Sequence, residues 1–175
     1  MSIYQSQDTV FAIRKDGDTL VGIPRGAASA GGVTQTLDKQ QSAVITQDVN
    51  GTTVVSRRPL FQKYVSVVSF SGHRPPAFAT LWDGDVVEVD CVAEDSVMGV
   101  VPEGSLPRPV VPGSVWYSRA DGSKATGPAD PLAVSTYFRP RLKMVVTKVG
   151  GGRNGEWSAE TSHTLELLEE SSEYP

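Results

Sequence analysis

The chemical groups on which most active sites depend are scarce in this chain. Its 175 residues include one cysteine, Cys91, and two histidines, His73 and His163. A single thiol forms no internal disulfide, and no pair of cysteines or histidines stands at the spacing of a zinc site. We therefore expect no bound metal, and we expect Cys91 to be a small buried hydrophobic residue.

Clustered basic charge and long apolar runs are also missing. The chain has 16 Lys and Arg residues against 20 Asp and Glu, for a net charge of −4. Binding to nucleic acid through its phosphates needs clusters of Lys and Arg, so we expect no sequence-specific nucleic-acid partner. No apolar run approaches the roughly 20 residues of a membrane-spanning helix, so we expect no membrane partner.

The sequence motifs of common enzyme classes are absent as well. The glycine-rich segments GGVTQT and VGGGRNG lack the Lys-Ser/Thr of a phosphate-binding loop and the strand–GxGxxG–helix context of a dinucleotide site. No GxSxG sequence marks a nucleophile. His163 falls on the same predicted strand face as Trp157 and Leu165, where a structural role is the more common one. We expect a protein that is not an enzyme and carries no cofactor.

The sequence does contain a series of turn signals. Both residues of an Asx-Gly pair tolerate positive φ, which the two-residue turn of a β-hairpin requires. Placed between β-branched or alternating segments, such pairs predict hairpins. The pairs are Asp16-Gly17, Asn50-Gly51, Asp83-Gly84, Asp121-Gly122 and Asn154-Gly155.

Strand patterns flank most of these turns. In DVVEVDCV, Val87, Val89 and Cys91 alternate with Glu88 and Asp90, as in a strand with one buried face. The other predicted strands are residues 10–13 and 20–23, the two halves of SAVITQDVNGTTVVS, KYVSVVSF and RLKMVVTKV.

The C-terminal stretch GEWSAETSHTLELLEE supports two interpretations. Its Glu, Leu and Ala residues favour a helix by propensity. Its order alternates, however, and a strand places every second residue from Trp157 to Leu167 on one face, whereas a helix scatters them. The alternation predicts a long strand over residues 156–167, paired through GGGRNG with RLKMVVTKV.

The fold predicted from these patterns is all-β. No segment shows a sustained helical stripe of apolar residues, and a short turn near TQTLDKQQ is the one weak helical prediction. Many short strands with frequent turns predict an antiparallel sandwich or barrel built from hairpins, with extended Gly/Pro-rich loops or arms. We interpret residues 1–175 as a single β-rich domain.

Two segments rich in small residues or proline do not have the pattern of hairpins. Residues 24–41 predict a flexible loop or arm. Residues 102–133 are too long for an ordinary connection, and long loops without regular structure commonly bind something. We interpret this stretch as an interaction loop, since aromatic residues and Arg are enriched at interfaces. The alternative is a solvent loop whose aromatic residues pack on the core. The candidate contact residues are Trp116, Tyr117, Arg108 and Pro109.

Charged clusters supply the other candidate contacts. Two short arginine clusters are suited to bind a phosphate or an acidic partner surface. The simpler interpretation is that they are solvated strand-edge charges, which also guard against edge-to-edge aggregation. The clustered residues are Arg57, Arg58, Arg139 and Arg141.

The chain closes on an acidic tail, residues 169–175, which begins with Glu169 and Glu170. This tail is either a solvated terminus or a segment that docks against an Arg-bearing neighbour. The second interpretation requires an assembly.

Parts of the sequence resemble small structural proteins of tailed-bacteriophage virions. The resemblance lies in HRPPAFATLWDGDVVEVDCVAE, in YFRPRLKMVVTKV and in GEWSAETSHTLELLEE. It implies a β-rich virion subunit that works by assembling, and it brings no catalytic residues with it. The matching residues are Arg74, Pro75, Pro76, Ala77, Leu81, Trp82, Gly84, Val89, Asp90, Cys91, Tyr137, Phe138, Arg139, Pro140, Arg141, Leu142, Met144, Trp157 and residues 165–170.

The terminal strand and acidic tail also look like the end of tail-tube proteins, whose rings stack through loops and arms around an acidic channel in which DNA slides. The resemblance implies a non-enzymatic structural subunit, with the tail as the leading location and rings or a tube as the assembly. Its partners would be copies of itself and other virion proteins, in a particle assembled in the cytoplasm of the bacterial host.

Two other hypotheses remain open. Tail-tube subunits usually carry a helix, and the sequence shows no convincing one, so a capsid decoration or cement protein or a head–tail connector is the first alternative. The second is a small-ligand-binding β-barrel or an enzyme, which would need an apolar cavity with convergent polar groups.

Overall fold

Antiparallel strands make up almost all of the regular structure. The structure, a computed structural model, describes residues 11–22, 33–40, 43–57, 62–72, 78, 80–151 and 161–170. These ranges contain no α-helix, and their one helical element is a 3-10 turn at Glu103–Ser105, so the predicted all-β class is confirmed. The strands are β1 (Ala12–Lys15), β2 (Asp18–Gly22), β3 (Val33–Lys39), β4 (Ala43–Gln47), β5 (Thr53–Arg57), β6 (Tyr64–Gly72), β7 (Val86–Asp90), β8 (Asp95–Met98), β9 (Trp116–Arg119), β10 (Ala133–Phe138), β11 (Arg141–Gly151) and β12 (Thr161–Glu169).

Seven of these strands form one antiparallel sheet in the order β2-β1-β7-β11-β12-β6-β3. A three-stranded sheet, β8-β10-β9, and a separate pair, β4-β5, complete the described strands. The edge strands β2 and β3 do not pair with each other in the described part of the chain. The large sheet is therefore open there, which is consistent with a sandwich and not with a closed barrel.

The main core lies on one face of the seven-stranded sheet. Strand alternation sends every second side chain of β7, β11 and β12 to that face, where Val89 and Leu165 are fully buried. The ring of Phe70 packs edge-on against Phe11 and Phe78, with ring centroids 5.6 and 5.0 Å away. This apolar layer holds the strand order and leaves the opposite face of the sheet to solvent.

The C-terminal stretch is a strand, as its alternation predicts. β12 pairs with β11 on one side and with β6 on the other, and Leu165 and Leu167 are fully buried. The predicted pairing with RLKMVVTKV is thus confirmed. The strand continues beyond the predicted end, to Glu169, while residues 156–160 lie outside the described residues.

The Asx-Gly pairs form turns of different kinds. Asp16 and Gly17 have φ values of 54° and 87° and close a two-residue turn between β1 and β2, as predicted. Asn50-Gly51 lies in a longer connection between β4 and β5, where Gly51 N donates to Asp48 O. The predicted hairpin is present, but its connection is longer than a two-residue turn.

The other Asx-Gly pairs complete this comparison. Asp121-Gly122 lies in a turn directly after β9. The chain then runs back beside β9 and forms a single antiparallel β-bridge with it, between Lys124 and Ser118. Asp83-Gly84 precedes β7 without a described strand before it, so a hairpin there is not found. The fifth predicted turn, at residues 154–155, lies outside the described residues.

The predicted helical turn near TQTLDKQQ is wrong. Val33–Lys39 forms β3, which pairs with β6 along its whole length. Its side chains alternate, with Gln35 and Leu37 half-buried and Thr34 and Thr36 exposed. Residues 24–41 are therefore not one loop or arm, because their second half is an edge strand.

Residues 102–133, which we call the prolyl segment, are predicted to be a loop that becomes ordered against a partner. The structure differs from this prediction. It contains β9, which pairs with β10. Val110 forms a bridge with Pro140, and Val111 N donates to Arg139 O at 2.9 Å. The segment is held within its own chain because its backbone groups find partners in β10 and β11.

A buried ion pair joins this segment to the C-terminal strand. The side chain of Glu169 is 1% exposed, and its Oε1 accepts from Arg108 Nε at 2.6 Å. Its Oε2 accepts from Tyr64 N at 2.8 Å, and Arg108 Nη2 donates to Gln62 O at 2.9 Å. Three separate parts of the chain therefore meet at one carboxylate.

We expect Arg108→Ala to lower the free energy of unfolding by about 3 kcal/mol or more, because removal of one partner leaves the buried charge of Glu169 uncompensated. Urea unfolding followed by fluorescence measures the change. The control is Lys148→Ala, which breaks the Lys148–Glu166 pair, whose side chains are 65% and 41% exposed. That loss should stay below about 1 kcal/mol. Equal losses in the two variants would contradict the assignment of Glu169 as a central contact.

Candidate functional site

The β4–β5 pair stands apart from the rest of the fold, and we call residues 43–57 the hairpin arm. In the sequence it lies between β3 and β6, whose ladder ends with a hydrogen bond from Gln40 N to Lys63 O at 2.8 Å. Among the described strands, β4 and β5 contact only each other. At about 3.4 Å per residue, the arm is a projection roughly 25 Å long.

Aliphatic side chains lie on both faces of the hairpin arm. Directly paired residues point to the same face, so Ile45 and Val55 share one face while Val44 and Val54 lie on the other. Val44 and Ile45 are each 64% exposed, and Val49 at the tip is 100% exposed. Neither face of the arm is covered by another described strand.

Such an element gains little stability from its own chain. An isolated two-stranded hairpin is marginally stable at best in water, and the apolar surface of this one is not removed from solvent. Burial of that surface would contribute about 25 cal/mol per Å². Contiguous exposed apolar surface of this kind marks protein interaction sites, and we therefore take the arm as the candidate functional site.

Other large apolar side chains are exposed on the body of the fold. Trp82 is 73% exposed in the turn before β7, and Met98 is 94% exposed at the end of β8. Single exposed apolar residues are common, but Trp is enriched among the residues that dominate protein interfaces. The sequence pattern singled out neither residue as a contact, because neither breaks the local strand or turn pattern.

The two aromatic contact residues predicted from the sequence are packed within the chain. The Trp116 ring stacks on Tyr137 with centroids 4.3 Å apart, and Trp116 Nε1 donates to Glu94 Oε1 at 3.3 Å. Tyr117 is buried, and its carbonyl accepts from Ala125 N. The alternative interpretation, aromatic residues packed against their own fold, describes this placement better than interface anchors do.

The predicted arginine contacts are also used inside the molecule. Arg141 Nε donates to Asp90 Oδ1 at 2.6 Å, and its backbone N donates to the carbonyl of Pro109 at 2.8 Å. Arg139 Nε donates to Cys91 O at 2.8 Å. Arg108 forms the buried pair with Glu169 described above. These groups stabilise the corner between β10 and β11 and the segment that crosses it.

The remaining predicted contact residues fall into two groups. Glu170 pairs with Lys143 at 3.0 Å, so the described start of the acidic tail docks against cations of its own chain. Arg57 ends β5 opposite Ala43, while the side chain of Arg57 and the whole of Arg58 lie outside what the structure describes.

The solvent side of the seven-stranded sheet carries a chain of ion pairs. Asp90 accepts from Arg14 Nη2 at 2.7 Å and from Arg141, and Arg14 Nη1 also contacts Glu88 at 3.0 Å. Burial opposes ionisation of Asp90, but the two arginine hydrogen bonds together outweigh it and lower its pKa. An open cavity of about 540 Å³ lies beside these groups, lined partly by Arg14, Glu88, Arg141 and Lys143. Its charges are already matched to one another.

Asp90 shows a limit of the sequence pattern. The alternation in DVVEVDCV predicts a solvated carboxylate, whereas Asp90 is 4% exposed. Its position opposite Arg141 and beside Ala12 on the neighbouring strands explains the burial. Pairing partners distant in sequence supply the two arginines, and no local signal reveals them.

Groups with catalytic chemistry are not brought together in the described residues. No set of three or more His, Cys, Asp or Glu side chains there is arranged to hold a metal ion. The thiol of Cys91 is fully buried, and burial raises its pKa to about 12. His163 lies over Gly151, where a Cβ atom would come within 2.2 Å of the imidazole. In the part of the chain that the structure describes, no helix has the length and apolar character needed to cross a membrane.

Comparison with protein-family models, with curated proteins and with solved structures found no match to this chain. An exposed, apolar hairpin arm, beside a sheet whose solvent side carries paired charges, is the feature that a function must explain.

We expect Cys91 to be inert towards thiol reagents in the folded protein, because the reactive species is the thiolate and its raised pKa suppresses it at pH 8. The measurement is the rate of labelling by Ellman's reagent with and without denaturant. Unfolding should release one reactive thiol per chain. Rapid labelling of the native protein would contradict the buried position.

We expect stability to fall as the pH is lowered from about 4 towards 2, because ionised carboxylates of Asp90 and Asp130 are favoured in the folded state over an unfolded Asp pKa of about 3.9. The hydrogen bond from Arg119, helped by Leu132 N, lowers the pKa of Asp130 to about 2. The stabilisation is present above the unfolded pKa and is lost as protons bind.

The matched comparison is Asp90→Asn against Asp16→Asn in an exposed turn. Thermal midpoints measured between about pH 6 and pH 2 should fall less steeply with acid in Asp90→Asn, since one of the linked carboxylates is gone. An unchanged slope in that variant would contradict the role of the Arg14–Asp90–Arg141 contacts.

Proposed function

We propose that this protein is a non-enzymatic structural subunit of a tailed-bacteriophage virion, located in the tail, where copies assemble into rings or a tube through the hairpin arm. The observation that carries the proposal is the exposed arm, with aliphatic residues on both faces and no other described strand against it. A chain that retains such a surface is suited to bury it against another molecule.

The open edges of the large sheet support assembly in the same way. β2 and β3 lie at opposite ends of the strand order, so the two edges are different surfaces. A contact that joins different surfaces of identical copies is heterologous, and it produces a ring when the rotation closes. Edge strands with unpaired backbone groups are also ready to pair with another chain.

The phage assignment itself rests on the sequence resemblance. Several of its residues lie close together in the fold: Asp90, Cys91, Arg139 and Arg141 contact one another where β7 meets the corner between β10 and β11. This supports a shared structural unit, because the resembling segments are distant in sequence and converge on one place.

Charge pairing on the solvent side of the sheet is compatible with enclosed DNA. A surface whose arginines and lysines are paired with carboxylates offers few free cations to phosphates, and phosphate neutralisation is what binds DNA tightly. In this proposal DNA passes without sequence-specific binding, and the partners are further copies of the chain and other virion proteins.

A capsid decoration, cement or head–tail connector protein is the second candidate. The absence of an α-helix from the described residues favours it, since the resemblance to tail-tube subunits would lead one to expect a helix. Immunogold labelling of whole particles and of isolated heads separates the two locations, because a tail subunit labels only particles that carry tails.

The assembly is tested by a double variant, Ile45→Asp with Val55→Asp, which places two charges on one face of the hairpin arm. We expect the wild-type protein to sediment as oligomers, and we expect the variant to need at least about tenfold more protein for the same assembly, because uncompensated charges would be buried. Analytical ultracentrifugation over a concentration series measures this shift.

The control variant changes the polar pair Gln47 and Thr53, which lies on the same face, to Asn and Ser. It should assemble as the wild type does. A wild-type protein that stays monomeric at every concentration would overturn the proposal, and so would a charged-arm variant that assembles normally.

A further inference from the structure

The solvent side of the seven-stranded sheet carries a row of aliphatic side chains that lie outside the main core and are only partly buried. Val86 is opposite Val145, Val145 is opposite Leu168, and Leu168 is opposite Val65. These four residues therefore lie side by side across β7, β11, β12 and β6, on the face away from the core. We call them the aliphatic row.

Their placement on the outer face follows from their neighbours. Met144 and Val87, which are paired one position along, are both buried in the core, so the next pair points outwards. Val86 is 39% exposed, and the other three are half-buried. Antiparallel sheets with one wet face usually place polar residues there, which makes four adjacent aliphatics an exception to explain.

Ion pairs border the aliphatic row on β11 and β12. Lys143 pairs with Glu170 at 3.0 Å on one side, and Lys148 pairs with Glu166 at 3.2 Å on the other. An apolar centre between satisfied charges is the arrangement found in protein–protein interfaces, where the core is depleted of charge and the rim is polar. An apolar partner can bind there without burying an unpaired charge.

The hairpin arm has the matching properties. Asp48 is the one charged residue among its described side chains, and Val44, Ile45, Val54 and Val55 are exposed. Each strand of the arm has five residues, about 14 Å from first Cα to last, and the four strands of the row span about 14 Å as well. The strands of the arm match the row in length, and both surfaces are predominantly apolar.

The arm of the same molecule does not occupy the row. β4 and β5 contact only each other among the described strands, and the arm continues from the end of the β3–β6 ladder beyond Lys39 and Tyr64. Within the described residues, the two surfaces are therefore present in one chain without contacting each other, which is the condition for a contact between copies.

We propose that the aliphatic row of Val86, Val145, Leu168 and Val65 is the receptor for the hairpin arm of a second copy of this chain. The inference rests on the proposed function and names the site at which assembly occurs. A stable contact buries about 800 Å² on each partner over 20–30 residues, so the arm on the row supplies part of it and the sheet edges supply the rest. Because arm and row differ, the contact is heterologous and propagates from copy to copy.

Crosslinking between two single-site variants tests the receptor. Ile45→Cys is mixed with a size-tagged Leu168→Cys variant and treated with a short bis-maleimide, and the buried Cys91 of each chain stays unlabelled. We expect a mixed dimer of the two sizes. The matched control is Met98→Cys, which is also exposed and apolar but lies on the three-stranded sheet, and we expect at least about tenfold less mixed dimer with it.

A second pair of variants tests the same receptor without crosslinking. Leu168→Glu places a charge in the aliphatic row, whereas Thr164→Glu places it on the same strand and face outside the row. We expect Leu168→Glu to raise the concentration needed for assembly at least about tenfold and Thr164→Glu to leave it nearly unchanged. Thermal midpoints of both variants establish that they are folded.

The outcomes separate this inference from the proposed function. If the charged-arm variant blocks assembly while Leu168→Glu does not, or if the mixed dimer forms with Met98→Cys instead, the arm acts on another surface and the aliphatic row is overturned as its receptor. If the wild type does not assemble at all, the structural-subunit proposal and the receptor fall together.

Discussion

The carboxylate of Glu169 connects three parts of the chain that are distant in sequence. It accepts hydrogen bonds from the Arg108 side chain in the prolyl segment and from the backbone N of Tyr64 in β6. Glu169 is the final residue of β12. Burial raises the pKa of the Tyr64 hydroxyl. The adjacent carboxylate of Asp95, to which this hydroxyl donates a hydrogen bond, raises it further. Ion pairs buried in this way cost desolvation energy and are retained where geometry matters. Here the pair of Glu169 with Arg108, together with the hydrogen bond from Tyr64 N, fixes the start of β6 beside the end of β12.

The molecule divides its apolar residues between two tasks. One face of the large sheet is covered by almost completely buried side chains, such as Val68 and Val146. Their burial stabilises the folded chain. The hairpin arm carries similar residues exposed to water, and the aliphatic row carries similar residues that its own chain buries only in part. Selection for stability alone would favour polar residues at those positions. Their presence supports the proposal that copies of the chain bury these residues against one another.

The sequence was most informative where a pattern is local. Period-two alternation predicted β7 and β12, and Asp16-Gly17 predicted its hairpin, because strand faces and turn dihedrals depend on adjacent residues. It was wrong about β3, where Gln, Lys and Asp suggested a helical turn and pairing with β6 decided otherwise. The candidate contacts with other molecules stay a prediction. Arg and Tyr are residue types that are common at interfaces. The partners that the structure shows for Arg108, Arg141 and Tyr117, however, are distant in sequence and lie within the same chain.

The strand order has a consequence for when assembly can start during synthesis. The aliphatic row draws residues from β6, β7, β11 and β12, and Leu168 lies near the C-terminal end of the last strand. The row is therefore incomplete on a nascent chain until β12 has been synthesised and has inserted between β6 and β11. Under the proposed contact between arm and row, a chain whose β12 is not yet in place presents an arm but no complete receptor. The proposed assembly would then begin only from chains whose large sheet has formed.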